Sequence, residues 1–433
     1  MALQKPREIA ARLLKQHAGG TGWLEDLLDA EFSKGTLTPA DRGLAQELVC
    51  GVVRWQAALD WLIARRTDAR PQKPMLQILL RLGLYQLFWL DRIPDHAAVH
   101  ESVQLARDFG FGSQSGFVNA VLRNCLRDRD TLDRDLQTLK DSAPDLGYSH
   151  PRWLCDRWRE RWSDAKLREL LDWNNTAPAV FLRVNTLKTT PEQLARELEQ
   201  EGVLLTPRPF DWVPHDWIFE LRSHPPLASL KTFQEGKFYL QDPSTLLAVH
   251  ELAPQPGETI LDLCAAPGGK STLIAQRMEN RGRVIAHDAE PRRLGLITQN
   301  CTRLGASCVN VVTPAAFKDI AGPDAFDRIL LDAPCSNTGV MRRRVELRWR
   351  VQPSEIDRLR AVQLGLLKQA APWLKPGGTL VYSTCSLEPE ENAGVVKEFL
   401  ATAPGFQLVR ERELIPFIDR TDGAFVATLR KPV

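Results

Sequence analysis

The sequence predicts a multidomain protein with an all-α N-terminal domain, a small α+β arm and a C-terminal doubly wound α/β domain. Three observations carry that prediction. From residue 6 to about 130, apolar residues recur at helical spacing with no convincing strand; between 148 and 235 the pattern is mixed; after 236, short apolar strands alternate with turns and helices. A chain of 433 residues, 43% apolar and 25% charged, has the length and composition of a globular protein with two or three cores.

In the first region, IAARLL, RGLAQELVCGVVRWQAALDWLI and FVNAVLRNCLR are helical segments separated by Gly and Pro breaks. The longest apolar stretch, MLQILLRLGLYQLFWL (75–90), is interrupted by Arg81, Gln77 and Gln86, so it is too short and polar to span a bilayer and reads as a buried central helix. The charged, then Pro- and Gly-bearing stretch 126–147 is a connector, and a boundary near 140 gives domains 1–140, 141–235 and 236–433. Within the arm, WLCDRWRERW is helical, FLRVNTLK (181–188) strand-like, and TPEQLARELEQEG (190–202) a helix opened by a threonine cap and closed by glycine. The rhythm of the last region is TILDLCAAPGGKSTLIAQ, RVIAHDAEPRRLGLITQNCTRLG, FDRILLDAP and GGTLVYSTCS, the signature of a parallel sheet.

A net charge of +2 sets up no global basic field, so any nucleic-acid site must be a local patch. Eight scattered cysteines without a CxxC pair, behind an N-terminus (MALQKPREIAARLL) lacking an apolar signal core, favour a reducing cytoplasm and argue against zinc. His96, His100 and His150 have no metal-like spacing, so no metal site is expected.

The chemistry-bearing residues cluster at strand ends. In LDLCAAPGGKS (261–271) a strand ends at Asp262 and small residues with Gly268 and Gly269 lead into a helix, where a ligand can lie on bare backbone. Such a loop also arises for geometry alone, and it is not a phosphate-binding GxxxxGK[ST]. The next strand ends at Asp288, placed to bond ribose hydroxyls or, alternatively, to cap the following helix. In LLDAPCSNTGV (330–340), Asp332 and Cys335 project from the next strand end, and Cys385 in YSTCSLEPEEN (382–392) occupies the equivalent place one strand later. Carbon 5 of cytosine is too weakly nucleophilic to take a methyl group unaided; a thiolate added at carbon 6 activates it. An acid at Asp332 facing N3 would assist, and the two thiols would flank one flipped base. Chemistry alone does not rank Cys335 against Cys385. Cys50, Cys125, Cys155, Cys301 and Cys308 read as inert filler. The run MRRRVELRWR (341–350) has five arginines and a tryptophan to grip phosphate and stack on a base, or it is a solvated basic helix.

The loops LDLCAAPGGKS, LLDAPCSNTGV and YSTCSLEPEEN, in this order and spacing, resemble the signature loops of RNA cytosine-5 methyltransferases. FLRVNTLK and FYLQDPSTLLAV (238–249) resemble that family's arm and pre-catalytic helix, and residues 6–130 resemble a NusB-like RNA-binding domain, a combination similar to the bacterial small-subunit ribosomal RNA branch. The resemblance implies a Rossmann-like methyltransferase domain that uses S-adenosylmethionine, held by Cys264, Ala265, Ala266, Pro267, Gly268, Gly269, Lys270 and Asp288, with Asp332 near donor and base. It implies Cys385 as nucleophile and Cys335 as the residue that assists product release, with small-subunit ribosomal RNA as partner, no membrane and a monomeric state. Two departures stand out: Thr313 occupies the place of a usual acidic residue beside the adenine, and Val345–Glu346 follow Arg342–Arg344 where the family often has a Pro-Asp turn. A non-catalytic RNA-binding factor, an amino-group methyltransferase and a transfer RNA substrate stay open as alternatives.

Overall fold

The computed structural model describes residues 6–20, 22–35 and 37–433. Two compact units emerge. One contains the described residues through Thr176 together with Arg344–Arg350; the other contains Ala177–Arg343 and Val351–Val433.

The first unit is helical. Its centre is the helix Pro74–Trp89, apolar on nearly every face, which packs among Leu48, Val52, Leu59, Leu62, Val118 and Leu122. The polar residue inside it is satisfied: Gln86 Nε2 donates to the Leu82 carbonyl at 2.9 Å and Gln86 Oε1 accepts from Arg7 at 2.7 Å. Thr38 caps the helix Pro39–Arg54 by accepting from the Asp41 amide, with proline at the first helical position. Helices continue through Arg152–Arg159 and Asp164–Asn175, and the segment Arg344–Arg350 joins this unit through buried Val345 and partly buried Trp349.

In the second unit, strands β1 (Val180–Val184), β2 (Leu204–Pro207), β3 (Ile218–Ser223) and β4 (Phe238–Leu240) form an antiparallel sheet in the order β2-β3-β1-β4. The helix Pro191–Gln200 lays Leu194 and Leu198 on Leu182, Val184 and Phe219, and Thr190 caps it as its sequence implied. A seven-stranded sheet follows: β5 (Thr259–Asp262), β6 (Arg283–His287), β7 (Val309–Val312), β8 (Phe326–Asp332), β9 (Leu374–Thr384), β10 (Gln407–Leu414) and β11 (Ala424–Arg430), in the order β10-β11-β9-β8-β5-β6-β7. Strands β5 to β9 pair in parallel, the Rossmann-like core that the strand, turn, helix rhythm implied. The sheet is nevertheless mixed, because β11 pairs antiparallel with both β9 and β10. The charged, largely exposed β10 (QLVREREL) lacks the apolar run by which a buried parallel strand announces itself. Buried apolar clusters line both faces of the sheet.

Arg183, on β1, joins the small sheet to the large one. Its Nη1 donates to Gln241 Oε1 at 2.8 Å and to the Gly269 carbonyl at 3.0 Å, and its Nη2 to Thr272 Oγ1 at 3.1 Å; burial lowers this guanidinium to about 10.

Candidate active site

The carboxyl edge of the parallel strands gathers Asp262, Asp288, Asp332 and Cys385, as expected for ligand-binding α/β sheets. Asp262 is fully buried; Oδ2 accepts from Ser271 Oγ at 2.6 Å and, among the described residues, Oδ1 has no partner. Burial raises this carboxyl to about 7. Beyond it the loop is held from outside: Ala265 N–H donates to the His287 carbonyl at 2.8 Å, and Arg293 and Asn300 donate to the carbonyls of Ala266 and Pro267. Gly268 has φ +101°, and a Cβ on Gly269 would lie 2.9 Å from Tyr239 Cε1, so both positions demand glycine.

A cavity of about 460 Å³ opens on this loop, lined by Cys264, Ala265, Ala266, Pro267, Gly269, Lys270 and Asp332, with Tyr239, Asp242 and Arg343 across from them. Gly268 and Asp288 do not line it. Asp288 turns into the loop, its Oδ2 accepting from the Ala266 amide at 3.1 Å and its Oδ1 from the Glu290 amide at 3.0 Å, with Arg293 3.4 Å away. Asp288 therefore does not cap the following helix, whose N-cap is Glu290 without a side-chain bond; its carboxylate ties the end of one strand to the loop of its neighbour. Thr313 caps the helix Pro314–Ile320, and next to it Phe317 stacks on His287 at 4.3 Å.

Asp332 is clamped on both oxygens. Lys270 Nζ lies 2.6 Å from Oδ2 and Ser383 Oγ donates to Oδ1 at 2.6 Å. Burial works against the Lys270 ammonium, but the charge and hydrogen bond of Asp332 outweigh it, and the proton is held more firmly than on a free lysine.

The two thiols sit together, Sγ to Sγ 3.4 Å, with Cys335 buried and Cys385 partly exposed. The hydrogen bond to Cys385, then burial, push the Cys335 thiol well above its ordinary value. Asn337 bridges the pair: Cys385 Sγ donates to its Oδ1 at 2.9 Å, and its Nδ2 donates to the Cys335 carbonyl at 2.7 Å. Beneath them Glu391 accepts from the Ser336 amide and hydroxyl, from Ser386 Oγ at 2.5 Å and from Gln363 Nε2 at 2.9 Å, zipping the two cysteine loops together. Glu391, Asn337 and Ser383 are functional neighbours that the sequence does not single out, because no local pattern marks them. Burial leaves Cys50 at about 11 and Cys155 and Cys301 at about 12, so these thiols stay protonated at neutral pH.

Within the basic run, Arg342, Arg343 and Arg348 are tied into the protein, while the Arg344 side chain stays half exposed. Arg343 Nε donates to Asp422 Oδ2 at 2.5 Å and its Nη2 to Asp242 Oδ2 at 2.7 Å, with Arg342 3.5 Å from Asp422. Arg348 is fully buried in the helical unit, bonded to the carbonyls of Arg54, Ser149 and Asn174 and to Asn175 Oδ1, while Trp349 Nε1 donates to the Val53 carbonyl at 2.7 Å. Charge composition does not reveal burial, and these arginines are committed to structure.

The cavity fits S-adenosylmethionine. Its volume suits a small cofactor, bare glycine backbone lines one wall, the unpartnered Asp262 oxygen lies at the loop's origin, and the surrounding carboxylates complement a cationic ligand. Among the described residues, no group of His, Cys, Asp or Glu is arranged to hold a metal ion, and no helix is long and apolar enough to cross a membrane.

Family models match in three blocks: NusB over residues 4–127, the RsmF/B-like ferredoxin-like domain over 150–213, and 16S rRNA methyltransferase RsmB/F over 249–430. The probable ribosomal RNA small subunit methyltransferase B of Bacillus subtilis (strain 168) is 33% identical over 98% of this chain and 98% of its own length. Ribosomal RNA small subunit methyltransferase B of Cronobacter sakazakii is 38% identical over 93% of this chain and 91% of its own. The crystal structure of PH0851 superposes with a TM-score of 0.79 at 26% identity, covering 98% of this chain and 99% of that one. With a Rossmann-like core, a donor loop that fits S-adenosylmethionine and relatives aligned almost from end to end, this chain belongs to the RsmB/F family of methyltransferases.

Proposed function

We propose that this chain methylates carbon 5 of a cytosine in small-subunit (16S) ribosomal RNA through a covalent cysteine adduct at carbon 6, acting as a cytoplasmic monomer. The observation that carries the reading is the pair of thiols 3.4 Å apart in loops that adjoin Asp332 and the donor cavity. A thiol pair is of no use to transfer onto an exocyclic nitrogen or to a non-catalytic factor, whereas activation of a pyrimidine ring requires a soft nucleophile.

The helical region and the arm bind RNA, and the target base is flipped into the site, since its ring carbon is out of reach inside a helix. S-adenosylmethionine would be held along the cavity by Cys264, Ala265, Ala266, Pro267, Gly269 and Lys270, with Gly268 and Asp288 shaping and bracing the loop from behind, and would supply an electrophilic methyl group. The Cys385 thiolate adds to carbon 6, which breaks the C5–C6 double bond and makes carbon 5 nucleophilic. Asp332 faces N3 and passes it a proton as negative charge develops there, with the Lys270 ammonium as the adjacent source. Once carbon 5 carries the methyl group, a base takes the C5 proton, that electron pair restores the C5–C6 double bond, the C6–S bond breaks with Cys385 leaving as thiolate, and N3 returns its proton to Asp332. Cys335, in sulfur contact with Cys385, assists that release.

The test is to incubate Cys385→Ala and Cys335→Ala variants with 16S ribosomal RNA and labelled donor, scoring 5-methylcytosine and covalent protein–RNA adducts. Cys385→Ala is expected to give neither, and Cys335→Ala to accumulate adduct. Full activity of Cys385→Ala would sink the mechanism.

A further inference from the structure

The amide of Asn337 can face only one way. A carbonyl oxygen accepts and never donates, so the Cys335 carbonyl, 2.7 Å from the amide, must face the NH₂ group, which turns Oδ1 toward Cys385. The group that donates to Oδ1 at 2.9 Å is therefore the Cys385 thiol, with its proton in place. The backbone supports this arrangement. Asn337 adopts the left-handed conformation (φ 58°, ψ 27°), which asparagine tolerates better than other residues with a Cβ. The Gly339 amide donates to the Cys385 carbonyl at 2.9 Å, and a Cβ on Gly339 would lie 2.7 Å from that oxygen, so the two loops are fixed at closest approach. Cys385 is thus held at its carbonyl by Gly339 and at its sulfur by Asn337, with Cys335 on another side and the Lys270 ammonium as the opposing charge.

We propose that Asn337 is a positioning residue that masks the nucleophile, holding the Cys385 sulfur in an oriented hydrogen bond in the resting site until a bound base breaks the contact. This deepens the reading above and rests on it for the role of Cys385. An S–H···O bond stabilises the thiol over the thiolate, and only the thiolate attacks. The amide oxygen would repel a thiolate, so the contact must be lost before sulfur adds to carbon 6.

Iodoacetamide alkylation tests the mask without any methyl transfer: the sulfur displaces iodide, the thiol proton goes to buffer, and peptide mass spectrometry reads Cys385 separately from Cys335. Asn337→Gly removes the amide and accepts the left-handed backbone without strain; Asn337→Ala removes the amide and adds strain. Both variants are expected to be alkylated at Cys385 roughly three- to tenfold faster than the parent at neutral pH, the range an ordinary hydrogen bond gives. An unchanged rate in both, or a rise in Asn337→Ala only, overturns the mask whatever the methylation assay shows. Faster alkylation in both, alongside a Cys385→Ala variant that still methylates RNA, keeps the mask and overturns the nucleophile instead.

Discussion

Replacing Arg348 by alanine is expected to loosen the helical unit by about 3–5 kcal/mol, the usual cost of removing one partner from a buried charged network. The guanidinium makes four hydrogen bonds, to the carbonyls of Arg54 (3.1 Å), Ser149 (3.2 Å) and Asn174 (3.0 Å) and to Asn175 Oδ1 (2.8 Å), and no carboxylate is among them. At about 1.5–3 kcal/mol for each bond from a charged donor, they contribute roughly 6–12 kcal/mol. Opposing them, burial and the nearby Arg54 charge lower the guanidinium from 12.5 to about 9; at about 1.4 kcal/mol per pH unit, alanine relieves roughly 5 kcal/mol of that penalty. The difference brackets the expected loss. Global denaturation blends two units, so the appropriate assay is amide hydrogen exchange, read over the helices Pro39–Arg54, Arg152–Arg159 and Asp164–Asn175. Their opening free energies should fall by the stated amount while β5, β8 and β9 keep their protection. Arg348→Met, which fills most of the volume without donating, should lose nearly as much. A change below about 1 kcal/mol in both variants would refute the reasoning, because the stranded carbonyls would then have found other partners at no cost.

Asp262 gives a pH signature: burial raises its folded value to about 7 from 3.8, so its contribution to stability is full below about pH 4 and is lost as pH rises toward 7. Asp262→Asn has no proton to lose, and its stability relative to the parent should climb across that window by up to about 1.4 kcal/mol per pH unit; a flat difference in the opening free energies read by amide exchange over β5 refutes this. Gly269→Val fills the cradle beside Tyr239, so calorimetric affinity for S-adenosylmethionine should fall at least about tenfold, with unchanged binding as the contrary result. Lys270→Met removes the cation from Asp332, and methylation should fall about a hundredfold or more while RNA affinity stays within about threefold; equal losses in both would make Lys270 an RNA contact instead.

The strand ends were legible because each is a local pattern: an apolar run, then an acid or thiol in the turn, as at Asp262, Asp332 and Cys385. What holds those residues was not legible, because the partners are distant in sequence and meet only through strand order. Lys270 reaches Asp332 across 62 residues, Cys385 reaches Asn337 across 48, and Ser336 reaches Glu391 across 55. Arg183 was hidden in the same way: inside the strand-like FLRVNTLK nothing shows that its side chain seats on the carbonyl of Gly269, 86 residues on. In MRRRVELRWR the apolar Val345, Leu347 and Trp349 between the arginines were the available sign of burial, and net charge obscured it.

The position of Arg344–Arg350 also sets a schedule for synthesis. The helical unit is otherwise complete at Thr176, yet the residues that fill its last gap lie about 170 positions later in the chain. At about 5–20 residues per second, the ribosome takes roughly 10–30 seconds to deliver them. For that interval the carbonyls of Arg54, Ser149 and Asn174 lack the guanidinium that satisfies them, and apolar surface meant for Val345 and Trp349 faces water. The nascent helical unit consequently closes only after most of the second unit has been made.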